Sequence, residues 1–206
     1  MRCAPFPLAA ALAATLAGVS GCARPESPLP AAVAEPGADV AGEFWGHLSA
    51  LCGKAFEGLP TEVPKGVTSF AARPLIMHVR ECSDTEIRIP VHVGPDRSRT
   101  WVITRQGDGL RLKHDHRRED GTEDPVTQYG GDWDPSASTG LHVEFPADDF
   151  TVALTPETRT NVWTLEIQPG SRFIYALRRE GTDRRIRLVF ELIRDVEAPP
   201  PPWGDR

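Results

Sequence analysis

The chain has 206 residues, 40% hydrophobic and 25% charged, which is the profile of one globular domain of ordinary size. Its formal net charge of −6 argues against a general nucleic-acid binder, whose domain carries a basic surface. Many of its 20 prolines crowd the two ends, among them Pro25, Pro28, Pro30 and Pro36 in front and 199–202 behind, which sets both ends outside the packed core.

Residues 1–21 read as an export signal. Arg2 supplies the positive charge, and 8–19 is an Ala-, Leu- and Val-rich run. That run is too short to span a bilayer, which takes about 20 apolar residues. It closes on Val19-Ser20-Gly21-Cys22, an aliphatic residue, two small ones and a cysteine. This resembles the lipobox of bacterial lipoproteins. The resemblance implies a diacylglyceryl group on the Cys22 thiol, cleavage before Cys22, and acylation of the freed amine by palmitate or a similar chain. Acyl chains hold a protein to a membrane at about 0.8 kcal/mol per buried CH₂, and two or more hold it firmly. Residue 23 is Ala where an inner-membrane lipoprotein carries Asp, so the resemblance implies the outer membrane of a Gram-negative cell envelope, facing the periplasm or the surface. Residues 22–40, rich in Pro and Ala, read as a disordered tether. The tail 198–206, "APPPPWGDR", reads as a second disordered segment with a short polyproline II stretch, which leaves 41–197 as the folded domain.

Four cysteines are present. Cys3 leaves with the signal and Cys22 takes lipid, so Cys52 and Cys82 remain, an even pair in an oxidising compartment and a predicted disulfide. The enclosed loop of about 31 residues is worth roughly 3.5 kcal/mol through the entropy of the unfolded chain. Phe44, Leu48, Leu51 and Cys52 stand at i, i+4, i+7 and i+8, the buried face of a short helix that Gly53 stops.

After that helix the chain reads as strands. Apolar and polar residues alternate in "PLIMHVR", "EIRIPVHV", "LRLKHDH", "LHVEF", "VWTLEI", "RFIYAL" and "RRIRLVFEL", while "RTWVITR" is apolar on both faces. With strands near 55–63 and 127, about ten result. Short turns such as "QGDG", "EDGT" and "QPGS" favour antiparallel hairpins. The predicted fold is all-β: an up-and-down barrel or strongly curved sheet, preceded by one short helix. The strand pattern resembles the calycins, the group of lipocalins and fatty-acid-binding proteins, although "GKAFEG" stands where a lipocalin carries Gly-x-Trp. Residues 44–192, "LCGKAFEG" and "KHDHRREDG" especially, are also similar to uncharacterised secreted proteins of Gram-negative bacteria, a likeness that implies no activity.

Strand alternation sorts the histidines. His78, His92 and His142 fall on polar faces and are expected in solvent. His114 and His116 continue the apolar face begun by Leu110 and Leu112, so both are expected to point inward near one end of the barrel. Beyond them, Asp120-Gly121 predicts a type I′ hairpin turn that sets Arg118 opposite Glu123, Arg117 opposite Asp124 and Leu112 opposite Tyr129. Three readings of this segment stand side by side: a charged hairpin, an inward polar cluster of His114, His116 and Tyr129 that contacts a ligand, and a zinc site. In the zinc reading His114 and His116 are joined by Asp120, Asp124, Asp132 or Asp134, among which spacing selects none. The chain has no Gly-x-Ser-x-Gly, His-Glu-x-x-His, Ser-x-x-Lys or P-loop motif, so nothing beyond that zinc reading points to a cofactor or an enzyme. The expected function is a non-enzymatic, membrane-anchored binding domain for a small or apolar ligand. The alternatives are an envelope interaction module acting through its outer surface and, third, a metal-dependent enzyme.

Overall fold

The computed structural model describes residues 39–67, 70 and 74–205. The export signal, Cys22 and nearly all of the tether lie outside the described residues. Among the described residues no helix is long and apolar enough to cross a membrane.

The helix α1 spans Val40–Ser49. The side chain of its N-cap residue, Asp39, accepts a hydrogen bond from the Gly42 N–H at 2.7 Å, so one orphan donor of the first turn is satisfied. Its buried face is Ala41, Phe44, Trp45 and Leu48. The predicted face ran one turn further. Leu51 and Cys52 instead sit in the turn that follows, half-buried against the core. Cys52 is bonded to Cys82, with the two Cα atoms 6.3 Å apart, and this ties the end of α1 to the sheet.

Eleven strands follow among the described residues. They are β1 (Ala55–Glu62), β2 (Leu75–His78), β3 (Glu81–Cys82), β4 (Glu86–Val93), β5 (Asp96–Gln106), β6 (Gly109–His116), β7 (Tyr129–Asp132), β8 (His142–Pro146), β9 (Asn161–Gln168), β10 (Arg172–Arg179) and β11 (Arg185–Glu191). Ten form one path, β7-β6-β5-β4-β2-β1-β11-β10-β9-β8, and β3 pairs with β4 alone. Every pairing is antiparallel. The two ends of that path, β7 and β8, come together, so the sheet curls into a nearly closed barrel. At its seam the Asp148 N–H donates to the Gly130 carbonyl at 3.0 Å and the Asp134 N–H to the Glu144 carbonyl at 2.8 Å. Gly131 lies so close to β8 that a Cβ there would come within 1.7 Å of the Pro146 carbonyl oxygen. A side chain at 131 would hold the seam open.

A second helix, α2 (Asp149–Leu154), was not expected from the sequence. The side chain of its N-cap residue, Asp148, accepts from the Thr151 N–H at 2.9 Å. The Thr151 hydroxyl is fully buried, accepts from the Gly130 N–H at 2.7 Å and donates to the Gly130 carbonyl at 2.9 Å. Thus α2 satisfies the free edge of β7, which has no ladder partner on that side.

The interior follows the period of two. Leu75, Ile89, Ile103, Leu112, Leu165 and Phe190 come from six different strands and are all fully buried. Phe44 and Leu48 of α1 join the same core. Trp45 lies under the Arg105 guanidinium, 5.6 Å from its ring, at the end of β5 nearest the β5–β6 turn.

Two histidines depart from expectation. His78 and His92 are only 8% and 4% exposed. Alternation puts them on the outer wall, and what buries that wall is the C-terminal segment, which alternation within strands cannot reveal. The Val196 N–H donates to the Ala55 carbonyl at 2.8 Å, and the Trp203 N–H donates to the Arg97 carbonyl at 3.1 Å. Arg97 in turn donates to the Pro201 carbonyl at 3.0 Å, and Asp205 pairs with Arg80 at 2.6 Å. The tail expected to be disordered from residue 198 therefore takes a defined course along the barrel as far as residue 205. Burial, then the Arg97 and His78 charges, hold His92 at a pKa of about 4. His142 stays half-exposed, with Nε2 3.4 Å from Glu144 Oε1.

Candidate functional site

The end of the barrel opposite α1 is not filled by side chains. A cavity of about 530 Å³ opens there, at the C-terminal ends of β6 and β10 and the N-terminal ends of β5 and β9. Its size lies within the range of small-molecule sites. Trp101, Trp163, Tyr175, Leu177 and Leu188 form its apolar wall, and His114, His116 and Tyr129 also face it. The three predicted site residues are thus brought together on one cavity.

His114 is 2% exposed and hydrogen-bonded at both ring nitrogens. Nδ1 lies 3.0 Å from the Tyr129 carbonyl, and Nε2 lies 3.0 Å from the Tyr175 hydroxyl. A carbonyl only accepts, so Nδ1 carries the proton and the Tyr175 O–H donates to Nε2. Burial first, then the His116 and Lys113 charges, hold the imidazole at a pKa of about 3. It is neutral at every physiological pH. The Tyr129 ring stacks on it at 4.4 Å, and Tyr175 stacks on Trp101 at 4.3 Å. The buried polar atoms of this wall are accounted for by one another, which is the condition for keeping them inside an apolar barrel.

His116 lies one inward position further out. Its Nε2 is 3.1 Å from the Tyr129 hydroxyl, and its pKa is lowered to about 4 by burial and by the Arg99 charge, against Asp124, Asp96 and Asp115. Burial raises the Tyr129 phenol to about 12 and the Tyr175 phenol well above its ordinary value.

The zinc reading is not supported. Both nitrogens of His114 are engaged by the protein, which leaves no lone pair for a metal. Among the described residues, no three His, Cys, Asp or Glu side chains gather as a metal group. Asp120 accepts from the Thr122 N–H and hydroxyl, Asp124 from the Val126 N–H, Asp132 pairs with Arg111 and Asp134 caps a 3-10 turn.

The hairpin differs in register. Asp120 does not take a positive φ, and Gly121 alone in that turn does, at 85°. The Gly121 N–H donates to the Arg118 carbonyl and the Arg118 N–H to the Thr122 carbonyl, each at 2.9 Å. This is a three-residue turn with glycine in the left-handed position, not a type I′ turn. It places Arg117 opposite Glu123. Arg117 also pairs with Asp115 at 2.8 Å, a 4% exposed carboxylate that Arg88 reaches from β4 at 2.7 Å. An irregular loop follows, and its Gln128 takes φ 59°. Tyr129 therefore meets His114 rather than Leu112.

Sequence reasoning missed the aromatic partners. Trp101, Trp163 and Tyr175 looked like ordinary core residues. The signal that could have singled out Tyr175 is its hydroxyl, a polar tip on a fully apolar strand face that needs a buried partner. It also missed Arg99, Arg179 and Arg184, which face the cavity from the strand ends. Comparison of the chain with protein-family models, with curated proteins and with solved structures gave no match.

Proposed function

We propose that this protein is a lipid-anchored cell-envelope protein whose barrel binds a small, largely apolar ligand in the cavity at its open end. The observation that carries the reading is the cavity at the open end of the barrel, where His114, His116 and Tyr129 meet an aromatic wall. Core side chains and α1 close one end, while the other opens into a cavity of about 530 Å³ with Trp101, Trp163, Leu177 and Leu188 among its lining residues and polar strand ends around it. A well-packed interior does not leave several hundred cubic ångströms open without a use for them. The neutral His114 and the phenols add a few fixed polar groups to an apolar wall, the usual make-up of a ligand site.

The binding test uses the neutral fluorophore N-phenyl-1-naphthylamine with the purified protein. Saturable enhancement is expected, and it should fall at least about tenfold in affinity in Leu177→Trp, whose indole would occupy the cavity. An equally strong, unsaturable signal in both proteins would end this reading.

The anchor rests on Val19-Ser20-Gly21-Cys22 and on the tether that follows. Ala23 favours the outer membrane of a Gram-negative cell. Labelled palmitate should enter the wild-type protein expressed in such a cell and not Cys22→Ser, which should leave the membrane fraction. Equal labelling of both would remove the anchor.

A further inference from the structure

We propose that the ligand of this mouth is an anionic amphiphile, its carboxylate or phosphate held between the guanidinium groups of Arg179 and Arg184 and its apolar part lying in the cavity. This rests on the binding function proposed above. Arg179 ends β10, and its N–H donates to the Arg184 carbonyl at 3.1 Å, so the two residues stand directly opposite each other across the β10–β11 turn. Both continue the inward face through Tyr175 and Leu177 on one strand and Leu188 and Ile186 on the other, and both line the cavity. Like charges directly opposite on one face destabilise a strand pair.

The neighbouring pair shows how the protein handles that repulsion elsewhere. Arg178 and Arg185 are also opposite each other, on the outer face. There Arg178 is gripped by Glu144 at 2.6 and 2.7 Å, and Arg185 donates to the carbonyls of Arg179, Thr182 and Arg184. On the inner face no carboxylate among the described residues lies within salt-bridge distance of Arg179 or Arg184. Arg179 has only the neutral Asn161 side chain, which accepts from its Nε at 2.8 Å. The Nε of Arg184 is buried with no hydrogen-bond partner among the described residues. A buried guanidinium N–H without an acceptor is costly, and a ligand oxygen would supply one. The other charged groups facing the cavity do not cancel the pair. Arg99 is held by Asp96 and Arg117 by Asp115 and Glu123, while Asp124 and Glu157 reach the cavity but contact neither Arg179 nor Arg184. The imidazoles nearby are neutral, so they would pass an apolar chain and leave the charge to the arginines.

The test displaces N-phenyl-1-naphthylamine from the purified protein at pH 8 with four ten-carbon competitors: decanoate, decyl phosphate, decanol and decyltrimethylammonium. One or both anions should displace the probe at concentrations at least about tenfold lower than decanol, with the cation weakest, and their order tells a carboxylate site from a phosphate site. The preference should shrink as salt is raised. In Arg179→Gln/Arg184→Gln the anions should fall to the level of decanol, while decanol itself is unchanged, and Arg179→Lys/Arg184→Lys should keep part of the preference. Decanol competing as well as the anions in the wild type would overturn the clamp and leave the binding function standing. A probe that never binds would remove both. Should the glutamine variant fail to fold, the wild-type ranking and its salt dependence still decide.

Discussion

The hydroxyl of Tyr175 and the Nε2 of His114 meet at 3.0 Å inside the barrel, joining β10 to β6 across its interior. These strands are not neighbours in the sheet, so the bond couples opposite walls. Tyr175→Phe removes the donor to a buried nitrogen and should destabilise the protein by about 1–3 kcal/mol in urea unfolding. Adding His114→Leu to Tyr175→Phe should cost less than the sum of the two single changes, because the second removes a group already orphaned. Strict additivity in that cycle would mean that the bond contributes nothing.

The depressed histidines make stability depend on pH. In the unfolded chain an imidazole binds a proton near pH 6.5. In the folded protein His114 does so at about 3 and His92 and His116 at about 4. Between those values the unfolded state binds more protons, so stability is fully present above pH 6.5 and drains away as pH falls through 4 towards 3. Unfolding midpoints at pH 7, 5.5 and 4.5 should decline, with a shallower decline in His114→Gln. A flat profile over that range would contradict the burial of these rings.

Closure of the barrel depends on Gly131. Gly131→Ala places a methyl group against the backbone oxygen of Pro146, which no side-chain rotation relieves. A loss of several kcal/mol is expected, with faster amide exchange at Gly130 and Asp148 than in the wild type. Wild-type exchange at both sites would mean that β7 and β8 do not need this contact.

Truncation after Glu197 removes the segment that covers the wall around His92. The His92 ring, held at about 4 chiefly by burial, should then titrate closer to 6.5 in an NMR pH series. His114, inside the barrel, should not move, and a shift of both would point to general loosening.

Reduction of Cys52–Cys82 releases a cross-link between residues 30 apart in sequence. Cys52→Ser/Cys82→Ser should lose roughly 3.5 kcal/mol and have a lower Tm, while an unchanged Tm would mean that the link is redundant with the neighbouring hydrogen bonds from the Gly53 N–H to the Val79 carbonyl at 2.7 Å and from the Val79 N–H to the Lys54 carbonyl at 3.0 Å.

Much of the architecture was legible in the chain. Leu110, Leu112, His114 and His116 alternate with Arg111, Lys113 and Asp115, and a strand's period of two is a local property, so the inward direction of both histidines could be read directly. The Cys52–Cys82 pair followed from counting, and the strand number from turn residues. The local turn chemistry at Asp120-Gly121 was read less well. Two turn types share that dipeptide and differ by one residue of register, and only the positive φ of Gly121 alone distinguishes them here.

Residue order alone specifies an all-β chain of hairpins with two imidazoles on its buried face, because periodicity and turn preference act between near neighbours. What those imidazoles do follows from contacts across the folded barrel. Tyr175 lies 61 residues from His114. Arg184, the tail over His92 and the Gly131 seam likewise depend on how the sheet curls and where it stops. Those are outcomes of packing the whole barrel, and no single stretch of the chain encodes them.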